Sequence, residues 1–296
     1  MTYLFKNRFF CTDIFKNLCK EMKNRGYEVL EIIDEDHKDS RRYIDELKGK
    51  DITIITSDHL KDDMEYYNQK AYSINQCNDI LKPKKKFFGM HDLGIATVDD
   101  DVTGYEVFIP DESWSILFNN KNQKALHAVG HPKFNSDRKK KKYDIVFFVS
   151  SVYVYADKPI ERFKEAFKLI FEHKIPFKFP KYCLSNKLMQ YVASEGIELI
   201  DPEIESFDIL LKTDIAISNA NSSIAIEAAM AGCKSINMGW DYKPKSIYEK
   251  YNIVSVNEPE INGLNSSHFS KDKIINKAHY DMKFDIDKAI KIITEN

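Results

Sequence analysis

The chain has 296 residues, 43% apolar and 30% charged, with a formal net charge of -2. That balance is the one of an ordinary folded protein and excludes a disordered segment or a general binder of nucleic acid and other polyanions. The length suits two domains of medium size, each with its own core.

Short β-branched and aromatic runs alternate with amphipathic stretches from the first residues onward, which predicts an α/β protein. In the first half, strands are expected at 2–5, 27–33, 51–56, 86–90, 105–109 and 125–129. The first pair is joined by a helix with Ile14, Leu18 and Met22 on one face, which Gly26 ends. After the hydrophilic stretch NSDRKKKK at 135–142 the rhythm restarts with YDIVFFVS at 143–150, and the domains are divided there, as 1–137 and 138–296.

The second half predicts helices at 160–173, 185–194, 206–212 and 222–231, with strands at 176–179, 197–200, 214–218 and 234–238. Nearly unbroken apolar strands such as IVFFV suit parallel strands covered on both faces, so two doubly wound halves are expected. A last helix over 285–293 carries Ile286, Ala289, Ile290 and Ile293 at helical spacing and is free to pack back on the first domain.

Cys11, Cys19, Cys77, Cys183 and Cys233 lack CxxC spacing and read as small buried residues rather than a disulfide framework or a zinc site. No run approaches the roughly 18 apolar residues of a spanning helix, and the opening MTYLFKNRFF lacks a secretory pattern. A cytoplasmic location is expected. The Lys-rich runs at 82–86 and 138–142 precede predicted strands, as solvated loops do; their other reading is peripheral contact with an anionic membrane face.

The segment 214–232 has the most specific content. Strand, turn and helix follow one another, and the turn, with Asn221, Ser222 and Ser223, falls at the carboxyl end of a parallel strand, where open sheets bind ligands. The start of a helix offers unpaired N–H groups and a partial positive charge to phosphates, and the serines add hydroxyls; the alternative is a simple cap. Glu227 stands among Ile224, Ala225, Ile226, Ala228, Ala229 and Met230. Either it faces solvent, or it accepts hydrogen bonds, and a nucleotide ribose is within its reach if the turn holds a diphosphate.

TDIAISNANSSIAIEAAMAGCKSINMGWD resembles the nucleotide-binding segment of GT-B-fold enzymes: an Asp-led strand, a Ser- or Gly-rich turn, a helix with Glu, then a "gKPvi"-like strand. The two nearest branches are the CDP-glycerol glycerophosphotransferases with related surface-polymer transferases, and the non-hydrolysing UDP-N-acetylglucosamine 2-epimerases. The resemblance implies two Rossmann-like domains facing a cleft, with Ser222 and Ser223 on the phosphates and Glu227 on the ribose. Lys234-Ser235 departs from the usual Lys-Pro.

In FFGMHDLG, residues 87–94, His91 and Asp92 follow a strand and so lie on a loop at the carboxyl edge of the first sheet. A histidine there can take a proton from an acceptor hydroxyl near neutral pH. His91 matches the histidine of the glycerophosphotransferase "WHGT" loop, while Asp92, Gly94 and Thr97 match the epimerase "HVEAGLRT", whose arginine is replaced by Ala96. Asp58, in ITIITSDH, matches the aspartate of the epimerase "GDT". ALHAVGHPKFN resembles the "vvGhPrnD" that closes the first domain, and His131 there either approaches the phosphates or is structural.

The expected activity is transfer of a sugar or polyol-phosphate from a nucleotide-activated donor to a hydroxyl acceptor on a glycan or polyol. No metal or other cofactor is required, because a helix start can balance the leaving diphosphate. The alternatives are a UDP-sugar 2-epimerase, favoured by Asp58 and Asp92, and a nucleotide-sugar-binding subunit without catalysis.

Overall fold

The computed structural model describes residues 1–8, 15–34, 40–57, 60, 71–90, 101–119, 121–134, 139–149, 160–180, 187–219, 222–238, 245–256 and 282–295. Two compact units are present, one of residues 1–135 and 281–296, the other of 136–280.

Unit 1 holds a six-stranded parallel sheet in the order β2-β1-β3-β4-β5-β6. Its strands are β1 (Thr2–Arg8), β2 (Val29–Asp34), β3 (Ile52–Thr56), β4 (Lys85–Gly89), β5 (Glu106–Ile109) and β6 (Ala125–Ala128). Every residue of β3 is buried, as expected when helices cover both faces. Alternation along the strands divides the core. Tyr3, Phe5, Ile55, Phe87 and Phe108 meet α1 (Lys16–Asn24) and α10 (Ile286–Thr294), whereas Leu4, Ile32, Ile52 and Ile54 meet α2 (Arg41–Asp45) and α3 (Ile74–Leu81). Phe284, Ala289, Ile290 and Ile293 thus give the C-terminal helix a face of the unit-1 core. Burial of the phenylalanine and isoleucine side chains among them is worth about 1.5–3 kcal/mol each.

Unit 2 also holds six parallel strands, in the order β12-β11-β10-β7-β8-β9. They are β7 (Tyr143–Phe148), β8 (Phe177–Lys178), β9 (Leu199–Ile200), β10 (Thr213–Asn219), β11 (Lys234–Met238) and β12 (Val254–Val256). One face, with Phe147, Ile215, Ile217 and Ile236, is covered by α4 (Ile160–Ala166), α5 (Lys168–Glu172) and α6 (Lys187–Ser194). The other, with Val146, Phe148 and Ala216, is covered by α7 (Ser206–Leu210) and α8 (Ile224–Met230). A further helix, α9 (Lys245–Lys250), precedes β12.

Several elements differ from the expectation, among them the short helices α2 and α9, which the sequence reading did not include. The helix foreseen at 160–173 breaks at Phe167, which lies 4.6 Å from Phe163 and 4.9 Å from Phe147 between ring centroids. Packing of that aromatic cluster overrides the helical run. Helix α3 was not foreseen, although Ile74, Cys77 and Leu81 give it a buried face and a capping box between Ser73 and Gln76 sets its start. Strand β12 has three residues, too few to show a period.

Candidate functional site

Strand order decides where ligands can enter. In unit 2, the chain leaves β7 toward β8 on one side and leaves β10 toward β11 on the other, and the helices that follow lie on opposite faces. The carboxyl ends of β7 and β10 therefore mark the switch point, at which open α/β sheets bind ligands. The turn after β10 is the segment that sequence assigns to phosphate. Asn221 lies outside the described residues.

Ser222 accepts a hydrogen bond from the Ile224 N–H at 3.3 Å, and its own hydroxyl proton has no acceptor among the described residues. Ser223 is different. Its hydroxyl donates to Glu227 Oε1 at 2.8 Å, and a serine has only one proton to give. Glu227 is 3% exposed, so it is not the solvent-facing residue of its turn. A carboxyl group in that setting depends on its donors. Small residues explain the close packing: Ala225 and Ala228 are fully buried on the same helix, and the Ser235 hydroxyl of β11 donates to the Ala225 carbonyl at 2.6 Å.

Beneath the turn lies a polar chain that sequence reasoning missed. The Ser218 hydroxyl donates to Asn237 Oδ1 at 3.1 Å, and Asn237 Nδ2 donates to the Tyr248 hydroxyl at 3.2 Å. Ser218, Asn237 and Tyr248 are buried, and they tie the carboxyl ends of β10 and β11 to α9. Polar residues inside an otherwise apolar strand, as in "KSINM", were the available signal.

Unit 1 has its own switch point, at β1 and β3. Lys6, fully buried, is ion-paired with Asp34, whose other oxygen accepts from the Ser40 hydroxyl at 2.7 Å. Asn7 Oδ1 accepts from the Ser57 N–H at 2.7 Å and the Ser57 hydroxyl at 3.1 Å. These groups hold the ends of β1, β2 and β3 together. Asp58, the residue after Ser57, lies outside the described residues, as do His91 and Asp92.

His131 is described and is 3% exposed. Its Nδ1 accepts from the Lys133 N–H at 3.3 Å, which makes the ring the Nε2–H tautomer, and Nε2 donates to the Met90 carbonyl at 2.9 Å. Its backbone N–H donates to the Met282 carbonyl at 2.8 Å. Both ring nitrogens are engaged inside unit 1, on the peptide group that leads into His91. Neighbouring Gly130 has φ +78°, and a Cβ there would stand 2.0 Å from the Lys283 carbonyl oxygen. Gly89 is equally constrained, since its Cβ would meet the Phe15 ring at 2.1 Å.

The Lys-rich runs lie at the amino edges of the sheets. Lys84 pairs with Asp51, and Lys86 stacks over the Tyr105 ring. Lys139 pairs with Asp208, and Lys141 with Asp144 and Asp214, which raises the Lys141 pKa. Much of their charge is thus answered locally. An open groove of about 440 Å³ that includes Lys142, His173, Lys174 and Glu198 lies at this amino edge of unit 2, opposite Ser222. Among the described residues no three His, Cys, Asp or Glu side chains converge as a metal site, and no helix is long and apolar enough to cross a membrane.

No family model matches the chain, and no curated protein does. Solved structures resemble it. The UDP-GlcNAc 2-epimerase of Methanocaldococcus jannaschii, in complex with UDP-GlcNAc and UDP, is 11% identical with a TM-score of 0.64, over 100% of both chains. A putative UDP-N-acetylglucosamine 2-epimerase from Listeria monocytogenes is 9% identical with a TM-score of 0.53, over 100% of this chain and 97% of the other. The glycosyltransferase SnogD from Streptomyces nogalater is 10% identical with a TM-score of 0.52, over 99% and 98%. At these identities the likeness is one of fold: the chain has the two Rossmann-like α/β units of GT-B glycosyltransferases and UDP-GlcNAc 2-epimerases.

Proposed function

We propose that this protein is a GT-B-type transferase that moves a sugar or polyol-phosphate from a nucleotide-activated donor to a hydroxyl acceptor, in the synthesis of a surface glycan or glycopolymer. The observation that carries this reading is Glu227: a buried carboxyl group, held by the Ser223 hydroxyl, one turn beyond the unit-2 switch point. A nucleotide offers that group two vicinal ribose hydroxyls to accept from, and offers Asn221 and Ser222 its phosphates. Ser223 then serves by orienting Glu227 rather than by binding phosphate.

On the acceptor side, His91 is the general base. In sequence it comes two residues after β4, which ends at Gly89, and the Met90 carbonyl before it is held by His131. Removal of the hydroxyl proton as the new bond forms is the step it performs. Asp92 and Asp58 supply acidic groups on neighbouring loops of the same edge, orienting the acceptor or the base.

A second reading, a UDP-sugar 2-epimerase-like isomerase, is favoured by the two acids Asp58 and Asp92, since proton removal and return on a sugar needs an acid and a base. Incubation with UDP-, CDP-, GDP- and CMP-activated donors, with and without acceptors, separates the two. Group transfer that requires acceptor is expected. Epimerised donor without acceptor would establish the isomerase, and donor binding without any turnover would mark a binding subunit. Glu227→Ala should weaken nucleosides and nucleotides alike, whereas His91→Ala should lower turnover and leave donor affinity nearly unchanged.

A further inference from the structure

The backbone ladder between β4 and β5 cannot be continued to the end of its register. Along a strand in a parallel sheet, the backbone groups of alternate residues face opposite neighbours. The carbonyls of Tyr105 and Ile109 accept from the Lys124 and Val129 N–H groups, at 2.7 and 3.1 Å, so these residues face β6. Glu106, Phe108 and residue 110 therefore face β4. Gly89 stands opposite Phe108, so the next N–H due from this side is that of residue 110, and its acceptor is the Met90 carbonyl. Residue 110 is proline and has no N–H to give.

His131 supplies a donor at that carbonyl instead. Its Nε2–H lies 2.9 Å from the Met90 oxygen. The ring is held on its other sides: Nδ1 accepts from the Lys133 N–H at 3.3 Å, and the Phe134 ring packs at 5.2 Å between centroids. The backbone is held as well, since the His131 N–H donates to the Met282 carbonyl at 2.8 Å. A buried imidazole fixed at so many points presents its one ring N–H in a single direction.

We propose that His131 is a positioning residue for His91. Standing in for the N–H that Pro110 lacks, its imidazole fixes the carbonyl of the Met90–His91 peptide, the planar group to which the His91 N and Cα also belong. A displacement of about 1 Å at a reacting group can cost about a hundredfold in rate, so this hydrogen bond acts on turnover without touching substrate. That consequence rests on the reading of His91 as general base; the replaced rung does not. Contact of His131 with phosphates would instead show in donor binding.

The test compares His131→Gln with His131→Asn in the full chain. Glutamine carries an N–H about as far from the backbone as the imidazole Nε2 and keeps the donor, whereas asparagine is one methylene too short for the Met90 carbonyl. With a donor and acceptor that the wild type turns over, His131→Asn should lower kcat about tenfold to a hundredfold and leave the donor KM within about twofold. His131→Gln should recover kcat to within about threefold of wild type. In protein labelled with ¹⁵N at histidine, the His91 ring signals, identified by their loss in His91→Ala, should move in His131→Asn and return in His131→Gln. Should His131→Asn fail to fold, His131→Phe, which keeps a ring beside Phe134, takes its place. The inference is overturned if His131→Asn keeps the wild-type kcat, if kcat and donor affinity fall together, or if His131→Gln melts as wild type without recovering turnover. If the wild type turns over no donor, the transferase reading fails and the ring signals decide alone: His91 signals unmoved by His131→Asn overturn the positioning role, and signals that move and return uphold it.

Discussion

The hydrogen bond from Ser223 to Glu227 makes the most exacting prediction. A bond to a charged group contributes about 1.5–3 kcal/mol, against about 0.5–1.5 kcal/mol for a neutral pair. Ser223 is only half-buried while Glu227 is buried, so the lower part of that range, about 1.5–2 kcal/mol, is expected for Ser223→Ala. In a Glu227→Ala background the hydroxyl has lost its acceptor, and the same substitution should cost less than about 0.5 kcal/mol. The coupling between the two is therefore about 1–2 kcal/mol in urea unfolding of unit 2. The same cycle read by calorimetry of ligand binding has a sharper outcome. If Ser223 acts through Glu227, its loss weakens uridine or cytidine by the same factor as the matching diphosphate, whereas Ser222→Ala weakens only the diphosphate. Additive stabilities, or a Ser223→Ala loss confined to the diphosphate, would refute the arrangement and return Ser223 to the phosphates.

Two further outcomes follow from unit 1. Lys6→Met strands Asp34 in the interior and should cost about 3–5 kcal/mol, while Lys6→Met with Asp34→Leu should recover most of it. Trp114, buried in unit 1, reports this by fluorescence in a Trp240→Phe background, and a single-variant cost below about 1 kcal/mol would show that the pair is not a closed one. Burial pushes the Cys77 thiol from 9.0 up to about 11. The folded state thus keeps its proton longer than the unfolded chain, so the contribution is complete below pH 9.0 and is lost as pH rises toward about 11. Unfolding measured from pH 8 upward should show that decline, and Cys77→Ala should flatten it.

The α/β rhythm, the strand positions and the turn after β10 were legible because they depend on short-range pattern. A period of two, a buried run or a Ser-rich turn lies within a few neighbouring residues. The sequence by itself also pointed to Glu227 as an anomaly, a carboxylate among alanines and isoleucines. Which of its two readings holds required the structure, because burial depends on what packs over the helix. The break at Phe167 was hidden for the same reason, since the rings that impose it come from β7 and β8 as well as from its own helix.

Only tertiary structure decided strand order, and with it the two switch points. The contacts at the strand ends of unit 1 likewise join residues far apart in the chain: Lys6 with Asp34, Asn7 with Ser57, and His131 with Met90, at separations of 28, 50 and 41 residues. No local pattern marks such partners, because each residue alone has an ordinary identity for a strand end. Ser223 and Glu227 are four residues apart on one helix and meet locally, but the burial that makes Glu227 depend on that hydroxyl comes only from the elements packed over the helix.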